Sequence, residues 1–365
     1  MSTSACVDLD DTEALLDADR DGLLRAAATA GAAVRATAAA VDEGALAAIG
    51  DGGRPRTVIW VAGRGPAESA GALLAATLGG AAGEPLVLAA QSPPWIGPLD
   101  VLVVAGEDPG DPALVSAAAT AVRRGARVVV AAPYEGPLRD ATAGRAAVLA
   151  PRVWAPDEFA LCRYLAAGLA TCAAVDPAVR ADLSGLADEL DAEALRNSAG
   201  RELFTNPAKM LADRMAGRAT ALAGDCAATL ALARHAAAVL LRVAGVPVAA
   251  VGLADAIVAA RSGLLSARAA GTEALFHDEE FDGPQPDRTR VVALALAAER
   301  QVLTARLAGL DDVDLVGAQD VGEGTSAPAE NSAAVPAESG SVEQQLAILA
   351  LRLEMAGVYL RLASG

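Results

Sequence analysis

The sequence has 365 residues, of which 53% are hydrophobic and only 3% aromatic, and its mean hydropathy is +0.36. A chain of this length and composition excludes global disorder and suits two domains, with cores built mainly from Ala, Val and Leu. The formal net charge of −17 argues against a nucleic-acid partner, because such binding depends on basic residues that neutralise phosphates.

The apolar stretches of the chain do not predict a membrane-spanning helix, which needs about 20 mostly apolar residues. The run 69–83 contains four glycines, and the run 85–99 is interrupted by Pro93 and Pro94. The N-terminus lacks a charged start followed by an apolar core, so no signal peptide is predicted. We therefore expect a cytoplasmic protein that does not associate with a membrane.

Cysteine and histidine are too sparse to predict a metal centre. The cysteines lie far apart with no C-x-x-C pair, at Cys6, Cys162, Cys172 and Cys226. Isolated cysteines of this kind are typical of reduced, mostly buried thiols. The only histidines are His235 and His277, so we expect no metal and no cofactor.

After an N-terminal helical region, 1–50, short β-branched runs alternate with Ala-rich helical stretches. The strand runs are continuously apolar, which is what a parallel sheet covered by helices on both faces requires. The pattern predicts a doubly wound α/β domain over 51–155, whose ligands are expected beyond the carboxyl ends of the strands. Strands are predicted at 57–62, 86–89, 101–105, 127–131 and 147–149, and helices at 66–78, 112–123 and 137–143.

A helical connector is predicted over 156–205, and a second, less regular α/β domain over 206–318. A stretch rich in Gly, Ser, Pro, Ala and Glu predicts a flexible linker over 319–340. Apolar residues at helical spacing then predict a C-terminal helix over 341–365. Within the connector and the second domain, helices are predicted at 156–174, 177–195 and 207–216 and after Asp225, and strands at 219–223, 246–251, 290–296 and 313–316.

Short motifs in a fixed order give the chain a family resemblance. They are Val58–Gly65, Pro94–Gly97, Arg124–Ala126, Asn206–Lys209, Phe276–Glu279 and Tyr359–Gly365. With them the chain resembles the sugar isomerase (SIS) domain family, in particular a divergent actinobacterial branch of the bacterial and archaeal bifunctional phosphoglucose/phosphomannose isomerases. The resemblance implies two flavodoxin-like SIS-type halves, a homodimer, and glucose 6-phosphate or mannose 6-phosphate as ligand.

The loop after the first predicted strand is a candidate anion-binding segment. Gly63 and Gly65 allow a tight turn, and Pro66 presets the start of the following helix. The N-terminus of a helix favours an anion, and Arg64 adds a positive charge there. Gly63, Arg64 and Gly65 are therefore candidate substrate contacts; the alternative is that this segment is only the turn that joins a strand to a helix.

The loop after the third predicted strand, 106–112, differs from what the resemblance implies. The family has a Ser/Thr-rich phosphate loop at this position, whereas this chain has three carboxylates. Asp111 before Pro112 predicts a helix N-cap, which places a protein carboxylate where a phosphate would bind. Glu107 and Gly110 of this loop remain candidate substrate contacts.

The residues that the resemblance implies for proton transfer are absent. Aldose–ketose isomerisation needs a carboxylate base, and a histidine commonly helps to open the sugar ring. The glutamate segment of the family corresponds to 238–242, which contains leucines, and its His-Asn-Glu segment corresponds to 252–256. A Pro-Arg pair after the fifth strand is matched by Pro156 and Asp157, which reverses the charge.

Other residues are candidates for the missing roles. His277 lies beside Glu279 and Glu280 in the only local histidine–carboxylate cluster, which is a candidate catalytic group or a solvated surface feature. Lys209, in the first turn of a predicted helix, is a candidate phosphate contact or a solvated or capping residue. His235, on an Ala-rich helix, is interpreted as a packed or half-exposed helical residue.

Three functions remain open on the sequence alone, and they differ in whether the chain is an enzyme. The leading hypothesis is a catalytically degenerate relative, or pseudoenzyme, that binds a sugar phosphate or related carbohydrate derivative of hexose phosphate metabolism. The second is an active aldose–ketose isomerase with relocated catalytic residues, namely His277 with Glu279 or Glu280. The third is a non-catalytic interaction partner of another protein.

Overall fold

The computed structural model describes residues 7–263, 265, 289–320 and 340–364, and the structural statements below concern these residues. The chain divides into two compact units. We call Arg25–Leu195 the first-sheet unit, and Met1–Leu24 together with Arg196–Gly365 the second-sheet unit. Each contains one parallel β-sheet flanked by helices, which confirms the predicted α/β class.

The first-sheet unit has a five-stranded parallel sheet with the order β2-β1-β3-β4-β5. The central strands are buried because their apolar runs are covered on both faces. All five lie within one residue of the predicted positions. Their bounds are β1 Thr57–Ala62, β2 Leu86–Ala89, β3 Asp100–Ala105, β4 Arg127–Ala131 and β5 Ala146–Val148.

Helices cover both faces of this sheet, so the unit is doubly wound. On one face, the side chains of Ile59, Leu102 and Val128 pack against Leu114. On the other face, Trp60 packs against the helices that contain Gly71 and Gly168. The N-terminal helices and those up to residue 196 are α1 Thr12–Ala18, α2 Leu23–Ala27, α3 Ala30–Asp42, α4 Ala47–Gly50, α5 Pro66–Leu78, α6 Pro112–Arg123, α7 Gly136–Thr142, α8 Leu161–Val175 and α9 Leu183–Arg196.

The second-sheet unit has a four-stranded parallel sheet with the order β7-β6-β8-β9, which repeats the same winding with one strand fewer. Its strands are β6 Thr220–Gly224, β7 Ala249–Gly252, β8 Arg290–Ala295 and β9 Val313–Gly317. The helices that follow α9 are α10 Pro207–Met215, α11 Ala227–Ala244, α12 Leu253–Arg261, α13 Arg300–Leu307 and α14 Val342–Ser364.

Two long apolar helices build one side of the second-sheet unit. In α14, every residue from Gln345 to Leu360 is buried, including the charged residues Arg352 and Glu354. Helix α11 is long and apolar enough to cross a membrane by length and composition alone. It packs against β6 and α14, which accounts for its apolar character as that of a core helix.

Three boundaries differ from the predicted ones, each near a proline or a cap. Strand β7 begins at Ala249 rather than at 246, because Pro247 cannot donate to a ladder. Helix α9 begins at Leu183, where the Asp182 carboxylate accepts a hydrogen bond from the Gly185 N–H at 2.8 Å. The predicted helix 156–174 is divided into a short 3₁₀ turn, Asp157–Phe159, and α8. Most of the predicted linker, 321–339, lies outside the described residues.

Candidate functional site

The strand order places a crevice at the carboxyl ends of β1 and β3. These strands are neighbours, and the chain leaves them toward helices on opposite faces, α5 and α6, so a crevice opens beyond the two loops. In doubly wound folds, such a switch point is where ligands bind. We call the open cavity found there, of about 890 Å³, the switch-point cleft. It is lined by Trp60, Ala62, Gly63, Arg64, Glu68, Ala72, Leu88, Ala89, Ala90, Asp108, Asp111, Pro112 and Ala113.

The loop after β1 contributes the cationic part of the cleft. Gly65 caps α5 with φ of 88°, a conformation that side-chain-bearing residues rarely adopt. The Trp60 indole Nε1 donates to the carbonyl of Ala67 at 2.9 Å and fixes the first turn of the helix. Gly63 and Arg64 line the cleft, and the Arg64 side chain is exposed.

The loops after β1 and β3 approach each other closely through glycine. A Cβ on Gly63 would lie 3.5 Å from the Cα of Gly106 and 3.8 Å from Asp111 Oδ2. The structure therefore places the loop after β1 beside the N-cap of α6. From the sequence, this contact followed only from the predicted doubly wound fold, since no local motif indicates it.

In the loop after β3, aspartate side chains accept hydrogen bonds from backbone N–H groups of the same segment. Asp111 caps α6 as predicted, since its Oδ1 accepts from the N–H of Ala113 at 2.8 Å. Asp108 Oδ1 accepts from the N–H of Gly110 at 2.7 Å. With Glu68, the cleft is lined by three carboxylates and one cation, Arg64. The lining therefore carries a formal charge of about −2 at neutral pH.

Glu107 lies in the same loop but does not line the switch-point cleft. Its Oε1 accepts from Arg163 Nη2 and, at 2.7 Å, from the hydroxyl of Tyr164. Both partners lie on α8, and the Arg163 guanidinium stands 4.2 Å from the centre of the Tyr164 ring. Burial raises the pKa of Tyr164, so its hydroxyl stays protonated and donates to Glu107.

Glu107 and Arg163 line a second, smaller cavity of about 170 Å³, which we call the Arg163 cavity. Its other lining residues are Ala33, Pro133, Pro151, Val153, Trp154, Ala155, Phe159 and Ala160. The sequence alone gave no indication of this cavity. Glu107 and Arg163 are 56 positions apart, and an arginine on an apolar helix carries no motif.

Lys209 belongs to the second-sheet unit, and its side chain is completely buried. Asn206 caps α10 by accepting from the Lys209 N–H at 3.0 Å. The Lys209 ammonium donates to the carbonyls of Ala199 at 2.8 Å and Arg201 at 2.7 Å, and burial lowers its pKa. These contacts give Lys209 a structural role, and it does not line the switch-point cleft.

The candidate catalytic residues His277, Glu279 and Glu280 lie outside the described residues. At the positions that correspond to the family's glutamate segment, Leu240 is buried near Gly357 of α14, and Leu241 is exposed. Where the histidine segment is expected, α12 presents Asp255, whose side chain is exposed.

A buried histidine–carboxylate pair occurs between α11 and α14. His235 Nε2 lies 3.1 Å from Glu354 Oε1, and both side chains are buried, which agrees with the interpretation of His235 as a packed helical residue. Burial raises the pKa of Glu354 despite the opposing hydrogen bond from His235. Neither residue lines the switch-point cleft or the Arg163 cavity.

Solved structures share this two-unit α/β arrangement with the chain. Similar solved structures include tagatose-6-phosphate ketose/aldose isomerase from Escherichia coli (TM-score 0.63, 16% identity, covering 94% of this chain and 92% of that chain). A candidate phosphosugar isomerase from Silicibacter pomeroyi aligns with a TM-score of 0.60 and 15% identity, covering 94% of this chain and 97% of that chain.

The C-terminal domain of glucosamine-fructose-6-phosphate aminotransferase from Francisella tularensis aligns with a TM-score of 0.58 and 8% identity, covering 96% of each chain. No family model matches the sequence, and no curated protein matches it. At these identities, the likeness concerns the fold, which these structures share with the chain over nearly its whole length.

Proposed function

We propose that the chain is a cytoplasmic, homodimeric binding protein for a sugar phosphate or related carbohydrate derivative, and that it does not isomerise its ligand through the family's catalytic positions. The observation that carries this proposal is the switch-point cleft, where one exposed arginine faces three carboxylates. A cation suits a phosphate, and carboxylates accept hydrogen bonds from sugar hydroxyls.

The charges of the cleft favour one orientation of the ligand. A phosphate at the N-terminus of α6 would meet the Asp111 carboxylate, and two like charges about 6 Å apart at an effective dielectric of about 20 repel by about 3 kcal/mol. Arg64 precedes the N-terminus of α5 and Glu68 lies in its first turn, so the cation there partly offsets the carboxylate. We therefore place the phosphate at the loop after β1 and the hydroxylated carbons toward Asp108 and Asp111.

We propose the absence of isomerase activity because of the side chains at the positions that correspond to the catalytic segments of the resembled isomerases. Leu240 and Leu241 cannot remove a proton from a sugar carbon, and the exposed Asp255 has no histidine beside it in the described part of the chain. A protein of this kind would sense or sequester hexose phosphates rather than convert them.

A coupled assay on fructose 6-phosphate, which follows glucose 6-phosphate and mannose 6-phosphate, tests the catalytic half of the proposal. We expect no turnover above a mock-purified control. Turnover that collapses on His277→Ala would instead support an active isomerase with relocated residues and would overturn the proposal.

Thermal stability in the presence of fructose 6-phosphate tests the binding half, because a ligand that binds only the native state raises Tm. We expect a rise in Tm for the native protein and affinity at least about tenfold lower for Arg64→Ala, since charge-assisted hydrogen bonds contribute about 1.5–3 kcal/mol. Arg139→Ala, an exposed arginine of α7 outside the cleft, is the matched control. No shift in Tm, together with co-purification of another protein, would favour a pure interaction partner.

Asp111→Ser separates the charge at the α6 cap from its hydrogen bond. Serine is also a good N-cap, so stability should change by less than about 1 kcal/mol. Removal of the carboxylate should raise the affinity of the cleft for inorganic phosphate, measured by calorimetry. Unchanged phosphate affinity in D111S would show that Asp111 does not control the charge of the ligand.

A further inference from the structure

The Arg163 cavity is separate from the switch-point cleft, because the two linings share no residue. Its volume of about 170 Å³ is below the range of about 300–1,000 Å³ that is usual for drug-sized ligands. Its walls are mostly apolar, and its only charged lining residues are Glu107 and Arg163. It therefore has the composition of a small-ligand pocket, with an apolar body and a few convergent polar groups.

The guanidinium of Arg163 is buried, and one of its nitrogens has no hydrogen-bond partner among the described residues. The residue is 7% exposed, and its Nη2 donates to Glu107, whereas its Nη1 has no hydrogen-bond partner among the described residues. A guanidinium carries five N–H donors, and buried polar groups are nearly always satisfied. A ligand oxygen in the cavity is one group that can satisfy Nη1.

The charges of the cavity indicate which ligand oxygen is suitable. Arg163 and Glu107 cancel each other, so the cavity has no net charge to attract an anion, and an anion would approach the Glu107 carboxylate. The Glu107 side chain is 36% exposed, which leaves acceptor capacity on its carboxylate. A hydroxyl group donates and accepts at once and therefore matches this donor–acceptor pair.

The mouth of the cavity carries an exposed aromatic ring. Trp154 is 82% exposed and lines the cavity together with Phe159 and two prolines, Pro133 and Pro151. A large aromatic side chain that is exposed beside polar groups is typical of a contact surface with one apolar side and one wet side. The apolar C–H face of a polyol ring or chain can stack on such an indole.

We propose that the Arg163 cavity is a second binding site, for a small, uncharged, polyhydroxylated ligand such as a sugar or polyol, which stacks on Trp154 and hydrogen-bonds to Arg163 and Glu107. This site goes beyond the sugar-phosphate cleft, since it involves neither Arg64 nor the loop carboxylates Asp108 and Asp111. Its occupant is selected by hydroxyl groups and by size.

Fluorine NMR of the full chain labelled with 5-fluorotryptophan tests this proposal, because the chain has only three tryptophans. The Trp154 resonance is assigned as the one missing from Trp154→Ala. Erythritol and D-fructose should shift the Trp154 resonance with millimolar affinity, and the shift should reach its maximum at about 100 mM ligand. The resonance of Trp95, which is also exposed, should not move and serves as an internal control.

Two variants separate this site from the cleft. Glu107→Gln keeps the shape of the side chain but removes its charge, so polyol affinity should fall about fivefold and acetate should begin to shift Trp154. Glu68→Gln and Arg64→Ala, which alter the cleft, should leave the polyol titration unchanged. The proposal is overturned if neither polyol shifts Trp154, if acetate does so in the native protein, or if E107Q and native protein titrate alike.

Discussion

At the scale of single residues, several buried polar atoms lack a hydrogen-bond partner in the described part of the chain. The clearest case is the pair formed by His235 and Glu354, where Glu354 Oε2 has no hydrogen-bond partner among the described residues. A buried carboxyl with one satisfied oxygen favours its neutral form, and burial accordingly raises its pKa above the ordinary value of 4.5. Folding and protonation are therefore linked at this residue.

Glu354→Gln should change the pH dependence of stability. In the native protein, the folded state keeps a proton that the unfolded chain loses above its ordinary pKa, so the free energy of unfolding falls as pH rises through the folded pKa. Glutamine has no proton to lose, so E354Q should gain stability relative to the native protein between about pH 4 and about pH 7. Urea unfolding at both pH values measures this difference, and a difference independent of pH would contradict the expectation.

Some contacts of the candidate site could be predicted from the sequence, and others could not. The N-cap at Asp111 was predictable because an aspartate before a proline carries a local signal. The partners of Glu107 and Lys209 were not, because Arg163, Tyr164 and the carbonyls that accept from Lys209 are chosen by tertiary packing. Local signals therefore located the loops, whereas the direction of each side chain depended on the fold.

At the scale of elements, close packing of α5, α8 and β1 depends on two glycines. A Cβ on Gly71 would lie 2.4 Å from Trp60 Cδ1, and one on Gly168 would lie 2.1 Å from Leu74 Cδ1. The Trp60 side chain occupies the space that these glycines leave, and its indole also anchors the start of α5. The same contact thus packs the helices and positions the loop that carries Arg64.

Gly168→Ala should destabilise the protein by about 1–3 kcal/mol, because an added methyl group in a well-packed core forces its neighbours to move. Gly357→Ala is a matched control on another buried helix, where the nearest atom to the new Cβ is 3.4 Å away, an ordinary contact. There the higher helix propensity of alanine should make the change neutral or favourable by up to about 1 kcal/mol. Equal losses for the two variants, measured by chemical denaturation, would refute this account of the packing.

The elements themselves were largely predictable. Continuous apolar runs located β1 to β5 within a residue because a parallel sheet buries both faces of its strands, and Pro66, Pro112 and Pro207 marked three helix starts. The start of α9 was missed because its N-terminal turn uses the Asp182 carboxylate rather than a proline. The sheet orders could be inferred only as a class, since strand adjacency is set by helix packing across the sheet.

At the scale of the whole molecule, the tryptophans allow the two units to be followed separately. Trp60, Trp95 and Trp154 all belong to the first-sheet unit. The second-sheet unit depends on α14, in which Leu349 is completely buried. Damage confined to α14 should therefore be visible in helix content without being visible in tryptophan fluorescence.

Leu349→Asp should unfold the second-sheet unit, because an unpaired carboxylate in an apolar core costs more than about 4 kcal/mol. We expect lower far-UV circular dichroism with native-like tryptophan emission. Arg361→Ala, an exposed residue of the same helix that pairs with Asp21 on the surface, should change stability by less than about 1 kcal/mol. If fluorescence and circular dichroism change together in L349D, the units do not fold as independent domains.

The carboxylate that caps α6 also bears on competition inside a cell. Orthophosphate is a small dianion without carbon-bound hydroxyls, and at the loop after β3 it would encounter Asp111 already bonded to the N–H of Ala113. A hexose phosphate can instead place its hydroxyls against that carboxylate and its anionic end at Arg64. In the proposed binding mode, the self-capped helix therefore disfavours free phosphate at the loop after β3, whereas a sugar ester whose anionic end lies at Arg64 avoids this repulsion.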